Sequence, residues 1–378
     1  MRTFLRTTAI RLLVLICLLV TINLASAVIL RIVRPGEDTG PDPRAALPNY
    51  EDHNRALQAL EETSSSQKRV DYIPFIEWKR KPFNGEAVTV GSDGDRVDHF
   101  PDPTDPAAKS VHFFGGSTMW GTGVDDNGTI PASFARSNPD LRVLNHAESA
   151  FVSRQGLEYL IRLLNEGESI DVAISYDGVN DVANLCRRGI SVGGHAEEPD
   201  LVEALEEEPS DLSLWGATKR LLFLRTQQLV ERLVADVDDA DALPGDAPPP
   251  DYFACEDDPE RTKAVARTLL SNWQHARDIS AAEGIEFRAI LQPVAHMGSP
   301  RLDHLPELST DNWQLELASQ YEVVYPILQE AIADSNEGWM VDMSDAFDGS
   351  EQLYIDFCHV TSEGNEIIAA AIDKVVKP

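Results

Sequence analysis

From Ser110 onward the chain alternates short apolar runs with longer stretches of helical spacing, and that alternation leaves few architectures open. Val111–Phe114, Leu141–Leu144, Ile170–Ser175, Ile285–Leu291 and Trp339–Met343 are apolar runs bounded by polar or turn residues, as expected of buried strands. Arg154–Asn165, Glu260–Glu283, Asn312–Asp334 and Ser362–Val376 carry helical patterns. Strands alternating with helices imply a parallel sheet covered on both faces, an α/β sandwich. Sites in such folds form at the carboxyl ends of the strands.

The first strand ends in KSVHFFGGSTMWGTG, Lys109 to Gly123. A phosphate-cradling loop would need a Lys beside the Ser/Thr or a further Gly at fixed spacing. Here Thr118, Met119 and Trp120 follow Ser117, which excludes both patterns. The G-x-S-x-G elbow fails too, because Met119 stands where its second Gly belongs. Ser117 as a nucleophile therefore needs partners elsewhere: a base, a group that orients the base, and donors for an oxyanion.

Those partners occur at comparable places. The C-terminal YIDFCHVTSEGNEII puts Asp356 three residues before His359, in a loop ahead of the terminal helix. A tight turn there brings the carboxylate to the imidazole Nδ1 and leaves Nε2 free to take a proton. The third strand ends in SYDGVNDV. Its Gly178 permits a tight turn, and Asn180 supplies an amide donor at the same edge as Ser117.

With these motifs the chain resembles the SGNH (GDSL-like) hydrolases, a family of esterases and acylhydrolases. The resemblance covers roughly Ser110 to the C-terminus, with a long acidic insertion standing outside it. Gly115-Gly116-Ser117 stands for the first block, Gly178-Val179-Asn180-Asp181 for the third, and Asp356-Phe357-Cys358-His359 for the last. Gly116 replaces the familiar Asp, as in the branch of the family that carries GGST. The second block, normally a Gly, falls in VLNHAESAFVSRQ at Ala150. An Ala donates the same N–H provided its backbone keeps out of positive φ.

The resemblance implies a flavodoxin-like three-layer α/β/α fold and a Ser117–His359–Asp356 triad. It also implies an oxyanion hole from the Ser117 and Ala150 N–H groups and the Asn180 side chain, with Gly116 and Gly178 shaping the turns. It calls for no metal or organic cofactor. The function it implies is ester hydrolysis on an acylated glycan or lipid, including O-acetyl groups. The alternatives are acyl transfer to an envelope polysaccharide and a non-catalytic binding domain. Trp120 is a candidate lining of the acyl pocket or, equally, a core aromatic.

The rest of the chain bears on location. It carries 32 Lys+Arg against 63 Asp+Glu, a formal charge of −31, which argues against nucleic acid as a partner. Leu12–Leu30 holds no charge, and as a helix would span roughly 28 Å, close to the thickness of a bilayer's hydrocarbon. Arg2, Arg6 and Arg11 precede it, which favours a cytoplasmic 1–11, a signal anchor at 12–30 and an extracytoplasmic remainder. The alternative is cleavage after Ala25-Ser26-Ala27, leaving a secreted protein.

After the anchor, 31–71 reads as a proline-rich linker, Pro35–Pro48, and an amphipathic helix, Asn54–Gln67. The hydrolase domain is expected over 72–378, with Tyr72–Val90 as its lead-in. An acidic insertion, about 194–251, interrupts it around a helix at Leu214–Val234. Cys186 and Cys255 can form a disulfide outside the cytoplasm, and two unpaired thiols are the equal alternative. No C-x-x-C pair or close Cys/His cluster suggests zinc.

Overall fold

The structure is a computed structural model that describes residues 11, 14–27, 40–98, 103, 105, 107–206, 226, 252–335, 337–349 and 351–376. All five apolar runs become strands of one sheet. In chain order, after two short hairpins (β1 Val70–Ile73, β2 Glu77–Arg80, β3 Phe83–Asn84, β4 Thr89–Val90), they are β5 Ser110–Gly115, β6 Arg142–Asn145, β7 Val172–Asp177, β8 Glu286–Leu291 and β9 Met340–Asp342. The sheet runs β6-β5-β7-β8-β9, parallel throughout. That is the flavodoxin-like order, and its switch point lies between β5 and β7, where the chain leaves β5 to either side.

Alternation along the strands sends side chains into two cores. Phe113, Ile174 and Ile290 face one, with Phe134, Ile368 and Ile372. Phe114, Ala173 and Leu291 face the other, with Leu160, Leu269, Trp273 and Tyr321. The helices are α1 His53–Gln67, α2 Ser117–Trp120, α3 Ile130–Ser137, α4 Ser153–Glu166, α5 Val179–Leu185, α6 Glu198–Glu206, α7 Pro259–Glu283, α8 Glu307–Thr310, α9 Asn312–Ser335 and α10 Ser362–Val376. Their starts follow ordinary capping chemistry. Asp52 accepts the Asn54 and Arg55 N–H groups at the head of α1, and Asp258 does the same for α7, with Pro259 at the first helical position.

Two compact units divide the chain. One is Pro41–Pro199 with Ala247–Pro378 and holds the sheet; the other is Met1–Gly40 with Asp200–Asp246. From Pro41 the stretch expected to be a linker therefore belongs to the sheet's own unit. Tyr50 Oη donates to Gly123 O at 2.9 Å, and Asn49 Nδ2 to Tyr354 O at 2.8 Å. Most of the expected helix Leu214–Val234 lies outside the described residues. Cys186 and Cys255 are joined in a disulfide across 69 residues, so both ends of the acidic insertion are tied together.

In the second unit residues 14–27 are helical, and Asn23 Oδ1 accepts the Thr226 N–H at 3.2 Å. Among the described residues no helix is long and apolar enough to cross a membrane. Residues 12, 13 and 28–30 of Leu12–Leu30 lie outside the described residues.

Candidate active site

The two strands flanking the switch point deliver the first pair of residues. β5 ends at Gly115, and Ser117 opens α2, whose N-cap is Gly116. β7 ends at Asp177, and Gly178, at φ +123°, turns the chain into α5, which begins Val179-Asn180. The two turns touch. A Cβ on Gly116 would lie 2.2 Å from Asn180 Nδ2, and one on Gly178 would lie 2.7 Å from Leu291 Cδ1. Glycine at 116 lets the two turns close on each other, and glycine at 178 lets its turn pack against Leu291 and Tyr325.

The C-terminal loop brings His359 to Ser117. His359 Nε2 lies 2.7 Å from Ser117 Oγ, and His359 Nδ1 lies 2.7 Å from Asp356 Oδ2 and 3.0 Å from Oδ1. With the Nδ1 proton donated to Asp356, Nε2 is left as an acceptor for the serine hydroxyl. Asp356 Oδ1 also accepts the backbone N–H groups of Cys358 and His359, at 3.0 and 2.8 Å. The carboxylate thus folds its own turn and orients the imidazole at once.

A partner that the sequence did not announce completes this arrangement. Arg44 Nη1 donates to Asp356 Oδ2 at 2.8 Å, while Arg44 Nε and Nη2 hold Asp42 at 3.1 and 2.8 Å. Burial alone would push the Asp356 carboxyl up. The charge and hydrogen bond of His359, the Arg44 guanidinium and the Cys358 N–H overrule burial and hold it well below the usual carboxylate range.

Three groups were expected to serve as oxyanion donors: the Ser117 N–H, the Asn180 amide and the Ala150 N–H. The Ser117 N–H stands in the first turn of α2, where backbone donors have no helical acceptor. Asn180 Nδ2 donates to Phe151 O at 2.9 Å, which fixes the amide and leaves its second N–H for a ligand. At the third, Ala150, the backbone does not keep out of positive φ as expected but sits at φ +64°; this strains an alanine without removing its N–H, so the proviso on the donor was too strict. The cause of the positive φ is a tight turn, in which the Phe151 N–H donates to Glu148 O at 3.3 Å. Positive φ at the third position of such a turn is the type II geometry, which glycine adopts freely. For Ala it costs about 1 kcal/mol.

Beneath the site, Asp181 accepts Ser153 Oγ at 2.6 Å and the Ser153 N–H at 3.1 Å, tying the start of α5 to that of α4. Asp177 accepts Trp273 Nε1 at 2.8 Å. Burial, and for Asp177 the neighbouring Asp181 charge, push both carboxyls up, Asp177 to about 7. Trp120 is a core residue, 0% exposed, with the Arg80 and Arg96 guanidinium carbons 3.5 and 4.4 Å from its ring centre. Among the described residues, the one group close enough to share a metal ion is Asp356, Cys358 and His359. Asp356 and His359 are engaged with each other, and burial followed by the Asp356 charge pushes the Cys358 thiol well up, so it stays protonated rather than a thiolate ligand.

No family model and no curated protein matches the chain. Solved structures do. A member of the lipolytic G-D-S-L family from Veillonella parvula is 11% identical, covering 72% of this chain and 100% of its own, with a TM-score of 0.37. A carbohydrate acetylesterase from Sinorhizobium meliloti is 14% identical over 71% of this chain and 98% of its own, TM-score 0.36. The protein TesA is 15% identical over 71% and 99%, TM-score 0.37. G-D-S-L proteins are among these neighbours, and the three sequence blocks resemble the same family. Similarity this distant carries no argument about chemistry, which rests on the geometry of Ser117, His359 and Asp356.

Proposed function

We propose that the chain is a serine esterase or acylhydrolase of the SGNH type. The observation that carries the reading is the continuous chain Ser117 Oγ–His359 Nε2 at 2.7 Å and His359 Nδ1–Asp356 Oδ2 at 2.7 Å. Ser117 Oγ attacks the ester carbonyl as its proton passes to His359 Nε2, and Asp356 stabilises the imidazolium. The carbonyl oxygen, now negative, takes hydrogen bonds from the Ser117 and Ala150 N–H groups and Asn180 Nδ2. When the intermediate collapses, the C–O bond to the alcohol breaks and the alcohol leaves with the proton from His359. Water, activated by the same imidazole, then cleaves the acyl-enzyme.

The substrate is an acylated glycan or lipid ester, O-acetyl groups included. The catalytic unit lies outside the cytoplasm, tethered by the uncharged Leu12–Leu30; the disulfide Cys186–Cys255 fits an oxidising compartment. A chain-length series of p-nitrophenyl esters tests the chemistry: turnover is expected on short acyl chains and lost in Ser117→Ala. Absence of turnover on every chain length contradicts the reading, and acetyl transfer to an oligosaccharide in excess of hydrolysis replaces hydrolase by transferase. Location has its own test. Full-length protein is expected in the alkali-resistant membrane fraction, whereas a mature chain beginning at Val28 makes it secreted.

A further inference from the structure

Ala150 holds a conformation, φ +64°, that an alanine keeps only where its surroundings over-determine it. The surroundings are a buried ion pair reaching the loop from β2. Glu148 Oε1 accepts Arg80 Nε at 3.0 Å and the Ser149 N–H at 2.7 Å, and Oε2 accepts the Arg80 N–H at 3.1 Å. Arg80 Nη2 donates to Ser149 Oγ at 2.6 Å, and Nη1 to Ser66 Oγ at 2.9 Å. Both charged residues are 1% exposed, so no water competes for these bonds. Trp78, from the same strand, donates Nε1 to Ser149 O at 3.2 Å. Lys79 Nζ reaches His146 O at 3.2 Å and Asp95 Oδ1 at 2.6 Å, while Asp95 Oδ2 meets His146 Nδ1 at 2.5 Å.

The same guanidinium stands 3.5 Å from the centre of the Trp120 ring, and Trp120 is the last residue of the helix that Ser117 begins. One side chain therefore touches both segments that carry the backbone oxyanion donors: the turn holding Ala150 and the helix holding Ser117. Arginine suits this place because its planar fork bonds in several directions while its face stacks on a ring, which lysine cannot do.

We propose that Arg80, through Glu148 and Ser149, is a positioning residue of the oxyanion hole that holds Ala150 in its left-handed conformation. The proposal rests on the esterase reading. Misplacing a donor used mainly in the transition state lowers kcat and leaves KM nearly unchanged. Arg80→Lys is expected to lower kcat by roughly 10–100-fold, less than the ~10²–10³ for outright loss of a donor, with KM within about threefold.

The decisive comparison repeats the substitution in an Ala150→Gly background, where the left-handed conformation needs no enforcement. There the kcat loss from Arg80→Lys shrinks to less than about fivefold, a non-additivity that a general loss of stability does not produce. If Arg80→Lys does not fold, Ser149→Ala, which removes only the Nη2 acceptor, is read the same way. Equal losses in the two backgrounds, parental kcat in the single variant, or a rise in KM alone overturn the proposal. A parent protein inactive on every ester overturns the esterase reading and this inference with it, whereas an active parent with equal losses overturns this inference alone.

Discussion

Gly116 is where one atom decides access to the site. A methyl group there would fall 2.2 Å from Asn180 Nδ2, and Asn180 is the proposed side-chain donor to the oxyanion. Gly116→Ala is expected to push the amide aside and lower kcat by up to ~10²-fold at nearly constant KM. Its effect should not add to that of Asn180→Ala, since both remove one donor. Steady-state kinetics of the two single variants and the double variant check this; fully additive losses would show that Gly116 acts by another route.

The residues proposed to carry the chemistry were legible because each lies in a short local block: Ser117, Asn180, Asp356 and His359. The residues that steady them were not. Arg44 meets Asp356 across 312 positions and Arg80 meets Glu148 across 68, pairings that exist only once the sheet and its lead-in have packed. The left-handed Ala150 was hidden for a related reason, since a turn's φ is set by the hydrogen bond that closes it rather than by the residue's own preference.

At the scale of elements, all five strands and the long helices were readable from apolar runs and helical spacing, with ends shifted by one or two residues where the apolar side chain and the ladder bond do not end together. Ser362–Val376 emerged unchanged. The N-terminal region was less legible. Proline and aspartate in Pro35–Pro48 suggested a linker, yet Asp42 caps a short 3-10 helix, Pro43–Ala46, that delivers Arg44 to Asp356. Pairing of Cys186 with Cys255 could not be decided from spacing. The disulfide closes a long loop at the base of the acidic insertion, and in the chain-entropy model contributes about 4 kcal/mol. Replacing both cysteines by Ser should lower the urea midpoint accordingly while leaving the Ser117–His359 geometry and kcat largely intact. A large fall in kcat with unchanged stability would contradict the placement of the bridge outside the site.

For the molecule as a whole, the buried acids predict an unusual pH response. Asp177 is raised to about 7 and Asp181 is raised as well. Between the ordinary carboxylate value near 4 and the raised value near 7, the folded chain holds protons that the unfolded chain has released. Stability contributed by these groups is therefore present at low pH and falls as pH rises through that window. Asp356 works in the opposite sense: its depressed carboxyl favours the fold above about 4 and withdraws that support only as pH falls far into the acid range. Asp177→Asn should accordingly raise the thermal midpoint more at pH 8 than at pH 5. An equal effect at the two pH values would mean that Asp177 is already ionised at pH 5 in the folded protein.

Ser117 acts as a nucleophile in the proposed reaction only if His359 takes its proton. A fluorophosphonate probe reads this directly, because it phosphorylates only a serine whose proton can be taken and whose developing oxyanion is held. Mass spectrometry of the labelled protein should find one adduct, on the peptide containing Ser117, formed quickly in the parent, slowly in His359→Ala and not at all in Ser117→Ala. An adduct on another residue, or none on the folded parent, would contradict the central claim.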